Sequence, residues 1–215
     1  MSNHPPLPMP VRLVRLPARL MRLVVSWALV GVGVPLLIRA ELGVAPFDVL
    51  NTGVREATGW SLGVAFMVDS VIFFATGALL GARLGWACVG GTLLIGLMVN
   101  LSLSVLPEVD ALALRIGLMM GGIVLIAVAI CLVVTTEFGP GPTETVMLGF
   151  VHRGLSIVPA RWIADGVPLV VGAALGGQLG VGTVVFLVAM GPLVKFGLRR
   201  LGYQPTRRQI SAAVA

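Results

Sequence analysis

Charged residues are scarce in this sequence: Asp, Glu, Lys and Arg make up 11% of its 215 positions, about half the share that an ordinary soluble domain carries. Hydrophobic residues make up 57%, and the mean hydropathy is +1.02. A soluble fold has nowhere to bury this much apolar surface, whereas a lipid bilayer accepts it. The composition therefore excludes an ordinary soluble domain and predicts an all-α protein that crosses a membrane several times.

Cysteine is scarce as well, and no catalytic motif is present. Cys88 and Cys131 each lie alone in an apolar run, without a CxxC pair or a neighbouring His cluster. This pattern predicts two buried thiols and no disulfide or metal site. The sequence has no HExxH, GxSxG or Walker A motif. We therefore expect a protein that is not an enzyme, with no catalytic residue, no cofactor and no bound metal.

The net charge of +6 is concentrated at the two ends of the chain. Basic residues precede the first apolar run and follow the last one: Arg12, Arg15, Arg19, Arg22, Lys195, Arg199, Arg200, Arg207 and Arg208. Basic residues beside membrane spans are typical of cytoplasmic anchors on anionic lipid headgroups. We therefore expect both termini in the cytoplasm, the lipid bilayer as the main partner, and no nucleic-acid binding.

The apolar runs are long enough to cross a membrane, but two polar segments between them are not. The runs cover residues 23–38, 59–82, 84–107, 116–136 and 166–194, and the last has room for two elements with a turn at residues 176–178. Residues 47–58 and 143–155 would form helices of roughly 18–20 Å, shorter than the hydrocarbon core of about 30 Å. We therefore predict a bundle of six long spans and two short re-entrant helices.

A sequence repeat divides the chain. Residues 42–48 (LGVAPFD) align with residues 138–144 (FGPGPTE), 96 positions later, and the GxxxG pair Gly77 and Gly81 recurs 95 positions later as Gly172 and Gly176. We expect these four glycines to allow close helix packing. We predict a basic arm (1–22), repeat 1 (23–107), repeat 2 (108–201) and a cytoplasmic tail (202–215).

The orientation of the two repeats is left open by the sequence. Three crossings per repeat would invert the second copy, as in many secondary transporters. If the short helices also cross, there are eight crossings and the repeats run parallel. The positive-inside rule does not decide between the two topologies. Six crossings would place Arg83 in the cytoplasm, whereas eight crossings would place Arg55 there.

The starts of the two short helices are the first candidate site. Pro46 and Asp48 match Pro142 and Glu144, and proline suits the first helical position. An acid in the first turn caps the free N–H groups in one interpretation. In the other, the two helix starts form a paired site that binds a solute, or whose acids bind a cation or a proton.

Ionisable and amide groups inside the long apolar runs are further candidates. Asp69 has no basic partner nearby in the sequence, whereas Arg161 lies four residues before Asp165 and would pair with it. Asn100 follows a long apolar stretch and would form a hydrogen bond to another helix.

At residues 42–50, in the glycine-rich hairpins and at Arg161-x-x-x-Asp165, the sequence resembles the YczE/YitT-like membrane proteins. The resemblance covers about residues 20–201 and implies a small multi-pass protein of the bacterial cytoplasmic membrane, without implying a defined activity. Our leading hypothesis is a transporter for a small polar or charged solute. The alternative is a non-transporting regulator, assembly factor or binding subunit that acts in a homo-oligomer or with another membrane protein.

Overall fold

The computed structural model describes residues 16–82, 84–136, 138, 139 and 141–202, and the regular structure of this part is entirely α-helical. The basic arm before Leu16, Arg83 and the tail after Gly202 lie outside the described residues. The helices are α1 (Leu16–Ala40), α2 (Pro46–Thr58), α3 (Leu62–Leu79), α4 (Trp86–Val105), α5 (Leu112–Val134), α6 (Pro142–His152), α7 (Ile157–Ala174) and α8 (Val181–Arg200). The predicted all-α architecture is confirmed.

Five of these helices are long and apolar enough to cross a membrane: α1, α3, α4, α5 and α8. Helix α7 has 18 residues but carries Arg161 and Asp165, and it is not among the five. We expected six long spans, and five helices have the length and composition of a span. Helix α1 begins at Leu16, so its first two turns include residues 16–22 of the expected basic arm.

Helices α1 and α5 pack against each other in opposite directions. Near the start of α1, Arg19 donates to the carbonyl oxygen of Thr136, just after α5. Near the start of α5, Arg115 donates to the carbonyl oxygen of Ala40 at the end of α1, with a distance of 2.7 Å. Between these contacts the two helices approach closely at glycines, since a Cβ on Gly33 would meet Ile126 and the Gly122 carbonyl.

The outer helices follow this central pair. Helix α4 runs parallel to α1, with Trp27 against Gly91 and Arg39 donating to the carbonyl oxygen of Leu103. Helix α8 lies beside α5, where the thiol of Cys131 contacts the Val194 carbonyl near the ends of both helices. We call the end of the bundle that holds Leu16 and Arg200 the terminal end. The end that holds Ala40 and Leu112 is the distal end.

The four remaining helices, α2, α3, α6 and α7, form a closed ring in which each packs on the next. Helix α2 contacts α7 and α3, and α6 contacts α3 and α7. Two of the predicted packing glycines lie at these contacts. A Cβ on Gly172 would collide with the backbone of Val49 and Leu50, and one on Gly77 would collide with Thr145. The ring therefore joins the first half of the chain to the second.

Gly81 and Gly176 lie outside the helices, one residue past the C-caps of α3 and α7. Both have positive φ, at 102° and 83°. The next residue in each case donates to the carbonyl oxygen of Gly77 or Gly172, which is the hydrogen bond of a Schellman helix ending. These two glycines therefore end helices, whereas Gly77 and Gly172 lie inside their helices and contact the backbone of a neighbouring helix of the ring.

Both ends of the short helix α2 lie near the distal end. The N–H of Val44, just before α2, donates to the carbonyl oxygen of Gln178 in the turn between α7 and α8. At the other end of α2, Arg55 and Gly59 line a cavity together with Arg39 at the end of α1. Helix α6 ends beside the turn after α3, where the ring of His152 lies against Gly81. The short helices therefore occupy opposite ends of the bundle.

Replacing Gly172 with alanine tests the close packing of α2 on α7. The added methyl group meets backbone, which cannot move aside, and overpacking of this kind costs about 1–3 kcal/mol. We expect Gly172→Ala to lower the melting temperature in detergent, followed with a thiol-reactive dye that reports exposure of the buried Cys88 and Cys131. Gly117→Ala is the matched control, since nothing lies within 4 Å of a Cβ there. Equal melting temperatures for the two variants would contradict the packing described.

Candidate functional site

Seven of the eight predicted site residues lie on the ring of α2, α3, α6 and α7. They are Pro46 and Asp48 on α2, Asp69 on α3, Pro142 and Glu144 on α6, and Arg161 and Asp165 on α7. Asn100 is on α4, outside the ring. Residues that are far apart in the sequence thus lie in one four-helix unit, and Asn100 lies outside it.

The two short helices begin as the sequence indicates, at Pro46 and Pro142. The glycines three residues earlier, Gly43 and Gly139, have φ of 110° and 149°, a backbone conformation that glycine adopts most easily. Each glycine lies against the start of a long helix from the other half of the chain, Gly43 against Gly180 and Gly139 against Gly85. Glycine is needed here for both conformation and space.

Asp48 is buried on α2 and does not cap its helix. The residue is 5% exposed, and its Oδ1 accepts a hydrogen bond of 3.0 Å from the amide of Asn51, one turn later. No side-chain cap bond forms at the N-terminus of α2. The carboxyl group is therefore buried, with the Asn51 amide as its hydrogen-bond partner.

Asp69 is the second buried acid without a basic partner. It is 4% exposed, and in the described part of the chain its Oδ2 has no hydrogen-bond donor. The hydroxyl of the next residue, Ser70, and the Oδ1 of Asn51 on the neighbouring helix are also buried without a partner. Buried polar atoms normally have partners, so these orphan atoms indicate a place where a ligand, an ion or water completes the bonding.

Aromatic contacts hold α2 and α3 together beside these acids. The ring of Phe47 packs edge-on against Phe66 and Phe73, with ring centroids 5.8 Å and 5.1 Å apart. Phe47 precedes Asp48 in the chain, and Phe66 lies one turn before Asp69 and Ser70. The two acids are therefore carried by helices whose relative position is fixed by an apolar contact.

The second half of the ring neutralises its acids internally. Arg161 bridges Glu144 on α6, at 3.0 Å, and Asp165 one turn later on α7. The hydroxyl of Thr143 also donates to Glu144. The expected Arg161–Asp165 pair is present, while Glu144 binds a guanidinium instead of capping α6, where no side-chain cap bond forms.

The corresponding positions of the two halves differ in charge. At the repeat spacing Asp48 matches Glu144, but Phe66 stands where the second half has Arg161. Ser70 matches Asp165, and Asp69 matches Ala164. The first half thus has two buried carboxyl groups and no cation on these positions, whereas the second half has two carboxyl groups around one guanidinium.

Asn100 joins α4 to the start of α3 at the distal end. Its Oδ1 accepts the N–H of Gly63 and its Nδ2 donates to the hydroxyl of Ser61. It also lines the distal cavity, with Arg39, Arg55 and Trp60. Sequence reasoning did not identify these three residues, because nothing local indicates that the ends of α1, α2 and α4 meet. Asn51 was also missed, although its spacing of three from Asp48 places both on one helix face.

No group of three or more His, Cys, Asp or Glu side chains that could hold a metal ion occurs among the residues with described positions. The acids of the ring are on separate helices or paired with Arg161.

Removing Arg161 tests whether the charged triad is a structural element. Arg161→Gln leaves Glu144 and Asp165 without their cation, and we expect a loss of about 1–3 kcal/mol in stability, less than for a fully buried pair because 42% of the Arg161 side chain is exposed. The triple variant with Glu144→Gln and Asp165→Asn should recover most of the lost melting temperature in detergent. A triple variant that melts as low as Arg161→Gln would show that the guanidinium acts through packing instead.

Known relatives share nearly the whole length of the chain. An uncharacterized protein of Haemophilus influenzae is 28% identical over 184 residues, covering 85% of this chain and 84% of the relative. The uncharacterized membrane protein YczE of Bacillus subtilis is 25% identical over 189 residues, covering 82% and 85%. No solved structure matches.

The resemblance to YczE-like proteins that the sequence indicated is confirmed, and with five apolar helices it identifies an integral membrane protein. The sequence matches one family over residues 17–199. The chain therefore belongs to the family described as "Family of unknown function (DUF6198)".

Proposed function

We propose that this membrane protein moves a small polar or charged solute across the bilayer, with its site in the ring of α2, α3, α6 and α7. The observation that carries the proposal is a four-helix ring with two buried carboxyl groups that have no cation, in a bundle whose α1 and α5 run in opposite directions. Secondary transporters commonly consist of inverted repeats with short or broken helices at the repeat interface.

The contacts of α1 and α5 support duplication with inversion. Arg115 follows Arg19 by 96 residues, and Thr136 follows Ala40 by the same number. The two arginine-to-carbonyl bonds are therefore the same contact made once at each end of the bundle. A two-fold axis that relates antiparallel helices lies across them, which means in the plane of the membrane.

The same relation accounts for the ring. The contact of α2 with α7 corresponds to that of α6 with α3, and the close approaches at Gly172 and Gly77 are 95 residues apart. We infer three crossings per half: α1, α3 and α4, then α5, α7 and α8. Helix α7 is the sixth crossing despite its charges, because Arg161 and Asp165 neutralise each other. Helix α2 enters and leaves the membrane at the distal end, and α6 enters and leaves at the terminal end.

The distribution of basic residues supports one orientation of the protein in the membrane. Near the terminal end lie Arg19, Arg22, Arg153, Lys195, Arg199 and Arg200; near the distal end lie Arg39, Arg55 and Arg115, accompanied by Glu41, Glu56, Glu108 and Asp110. Lysine and arginine are enriched on the cytoplasmic side of membrane proteins. We therefore place both termini in the cytoplasm of a bacterium and the distal end outside the inner membrane.

The charges of the ring indicate what the site would accept. The carboxyl groups of Asp48 and Asp69 have no cation in the described structure, and a buried charge costs several kcal/mol unless it is neutralised. A proton, a small cation or a solute with an ammonium group would neutralise them. In the Glu144–Arg161–Asp165 triad one guanidinium already balances one of the two carboxylates. We infer that this triad keeps its charges while a solute binds.

A specific observation favours the second candidate, a protein that acts with a membrane partner. Helix α8 is the least enclosed span, with 17% of its apolar window buried, and Gly191 in its middle has open space around it. The pair α3 and α4 packs along Gly63 and Gly96, whereas α7 and α8 do not pack in this way. A helix of another copy or of a partner would fill this space.

Cysteine labelling tests the six-crossing arrangement. We expect Ala57→Cys and Ala111→Cys, both exposed at the distal end, to react with a membrane-impermeant maleimide added to intact cells. Leu84→Cys, exposed at the terminal end, should react only after the cells are opened. The native Cys88 and Cys131 are buried and give little background. Eight crossings would reverse the result at all three positions.

Neutralising Asp48 tests the transport proposal. Purified protein in proteoliposomes on a solid-supported membrane would be exposed in turn to amino acids, amines, organic acids and monovalent cations. We expect at least one compound to give a saturable current, and Asp48→Asn to reduce this current at least ten-fold, because the amide cannot carry the charge that balances the solute. Asp110→Asn is the control, since this exposed acid lies away from the ring.

An Asp48→Asn variant with a wild-type current would remove Asp48 from the transport site. Silence of the wild-type protein across the whole panel, together with one protein partner that purifies in constant ratio, would replace transport by the partner-dependent function.

A further inference from the structure

We propose that the cavity at the distal end is a binding site for a small anion that carries a carboxylate or phosphate group. The cavity has a volume of about 450 Å³ and lies where the ends of α1, α2 and α4 meet the start of α3. This volume falls in the range of small-molecule sites. The site is separate from the acids of the ring, and the inference does not rest on transport.

The polar groups that line the cavity are donors or neutral. The lining includes two guanidinium groups, two hydroxyls, one amide and one indole: Arg39, Arg55, Ser61, Ser104, Asn100 and Trp60. No carboxylate lines it among the residues described. A cavity with two cations and no anion attracts an anionic ligand, and a guanidinium binds carboxylate or phosphate through two parallel hydrogen bonds.

Arg55 is available to a ligand as it stands, and Arg39 becomes available when its surface ion pair is displaced. Arg39 donates to the Leu103 carbonyl and pairs with Glu108, but its Nε is buried without a partner. Glu108 is 83% exposed, so this ion pair is a weak surface contact that a bound anion can displace. Arg55 shows no side-chain partner among the described residues. A ligand would therefore gain hydrogen bonds that the protein does not make by itself.

The rim of the cavity adds an apolar surface. The indole of Trp60 is 45% exposed in the turn between α2 and α3, and Ile38, Leu62 and Leu103 complete the wall. The preceding Gly59 has φ of 73° and ends α2, and the turn that follows places Trp60 on the wall of the same cavity as the two cations. An organic anion with a flat apolar part, such as an aromatic carboxylate, matches this combination of groups better than a bare inorganic ion.

The same anionic chemistry is present in lipid headgroups, and the experiment separates the two sources. Purified protein in a neutral maltoside detergent would be titrated with benzoate, inorganic phosphate or short-chain phosphatidylglycerol, and the melting temperature recorded. A ligand that binds the native state raises this temperature in a saturable way. Chloride and sulfate at equal ionic strength correct for general salt effects, since phosphate and sulfate stabilise proteins without a site.

We expect benzoate to give a saturable increase, and Arg55→Gln to weaken its apparent affinity at least ten-fold. Arg55 is exposed, so this variant should fold normally. Arg39→Gln should weaken binding further. Arg153→Gln is the matched control, because this arginine lies at the terminal end, where it donates to the Leu79 carbonyl; it should bind as the wild type does.

Saturable binding of phosphatidylglycerol alone, lost in Arg55→Gln, would support the site with a headgroup as its ligand. Two results would overturn the proposal: no saturable shift with any of the three anions, or a shift that both arginine variants retain. Neither result would bear on the current measured with Asp48→Asn, because that experiment reports on the ring.

Discussion

Helices α1 and α5 cross at Gly33 and Gly122, where an additional Cβ on either residue would enter the other helix. The hydrophobic effect does not drive helices together inside lipid, so close backbone packing and polar contacts must hold them together. Here the polar bonds lie at both ends, where an arginine at the start of each helix donates to a carbonyl group at the end of the other. These carbonyls lack helical partners, and satisfying them fixes both the direction and the register of the pair. The direction then decides where α4, α8 and the four-helix ring are able to pack.

The proposed duplication relates the two halves of the chain, and the charged groups lie where the halves differ. Phe66 and Ser70 occupy positions where the second half has Arg161 and Asp165, so an apolar aromatic contact replaces a salt bridge. The first half consequently keeps Asp48 and Asp69 buried without a cation. The triad around Arg161 is half-buried, so removing its cation would be destabilising. The halves therefore differ in charge: the second carries acids paired through an arginine, and the first carries two buried acids without a cation among the described residues.

The sequence predicts the helical class, the short helices and their proline starts because these depend on local signals: the length of apolar runs and prolines that suit the first position of a helix. It also predicts the Arg161–Asp165 pair, since a spacing of four places both on one helix face. The partner of Glu144 and the distal cavity depend on contacts between distant segments, which no local pattern reports. Gly81 and Gly176 show the limit of motif reading: GxxxG suggests helix packing, but the second glycine of each pair ends its helix.

The two candidate binding regions have opposite charge and lie on the same short helix. Asp48 and Asn51 belong to the buried first half of α2, and Arg55 is one turn further on, where α2 reaches the distal cavity. The left-handed Gly59 ends the helix immediately afterwards. A ligand that binds Arg55 and the Trp60 turn would therefore act on the C-terminal end of the helix that carries Asp48. Because α2 packs on α7 through backbone contacts at Gly172, a shift along its axis would have to move α7 or break that contact. The contact at Gly172 therefore holds the helix that carries both Asp48 and Arg55 in place against α7.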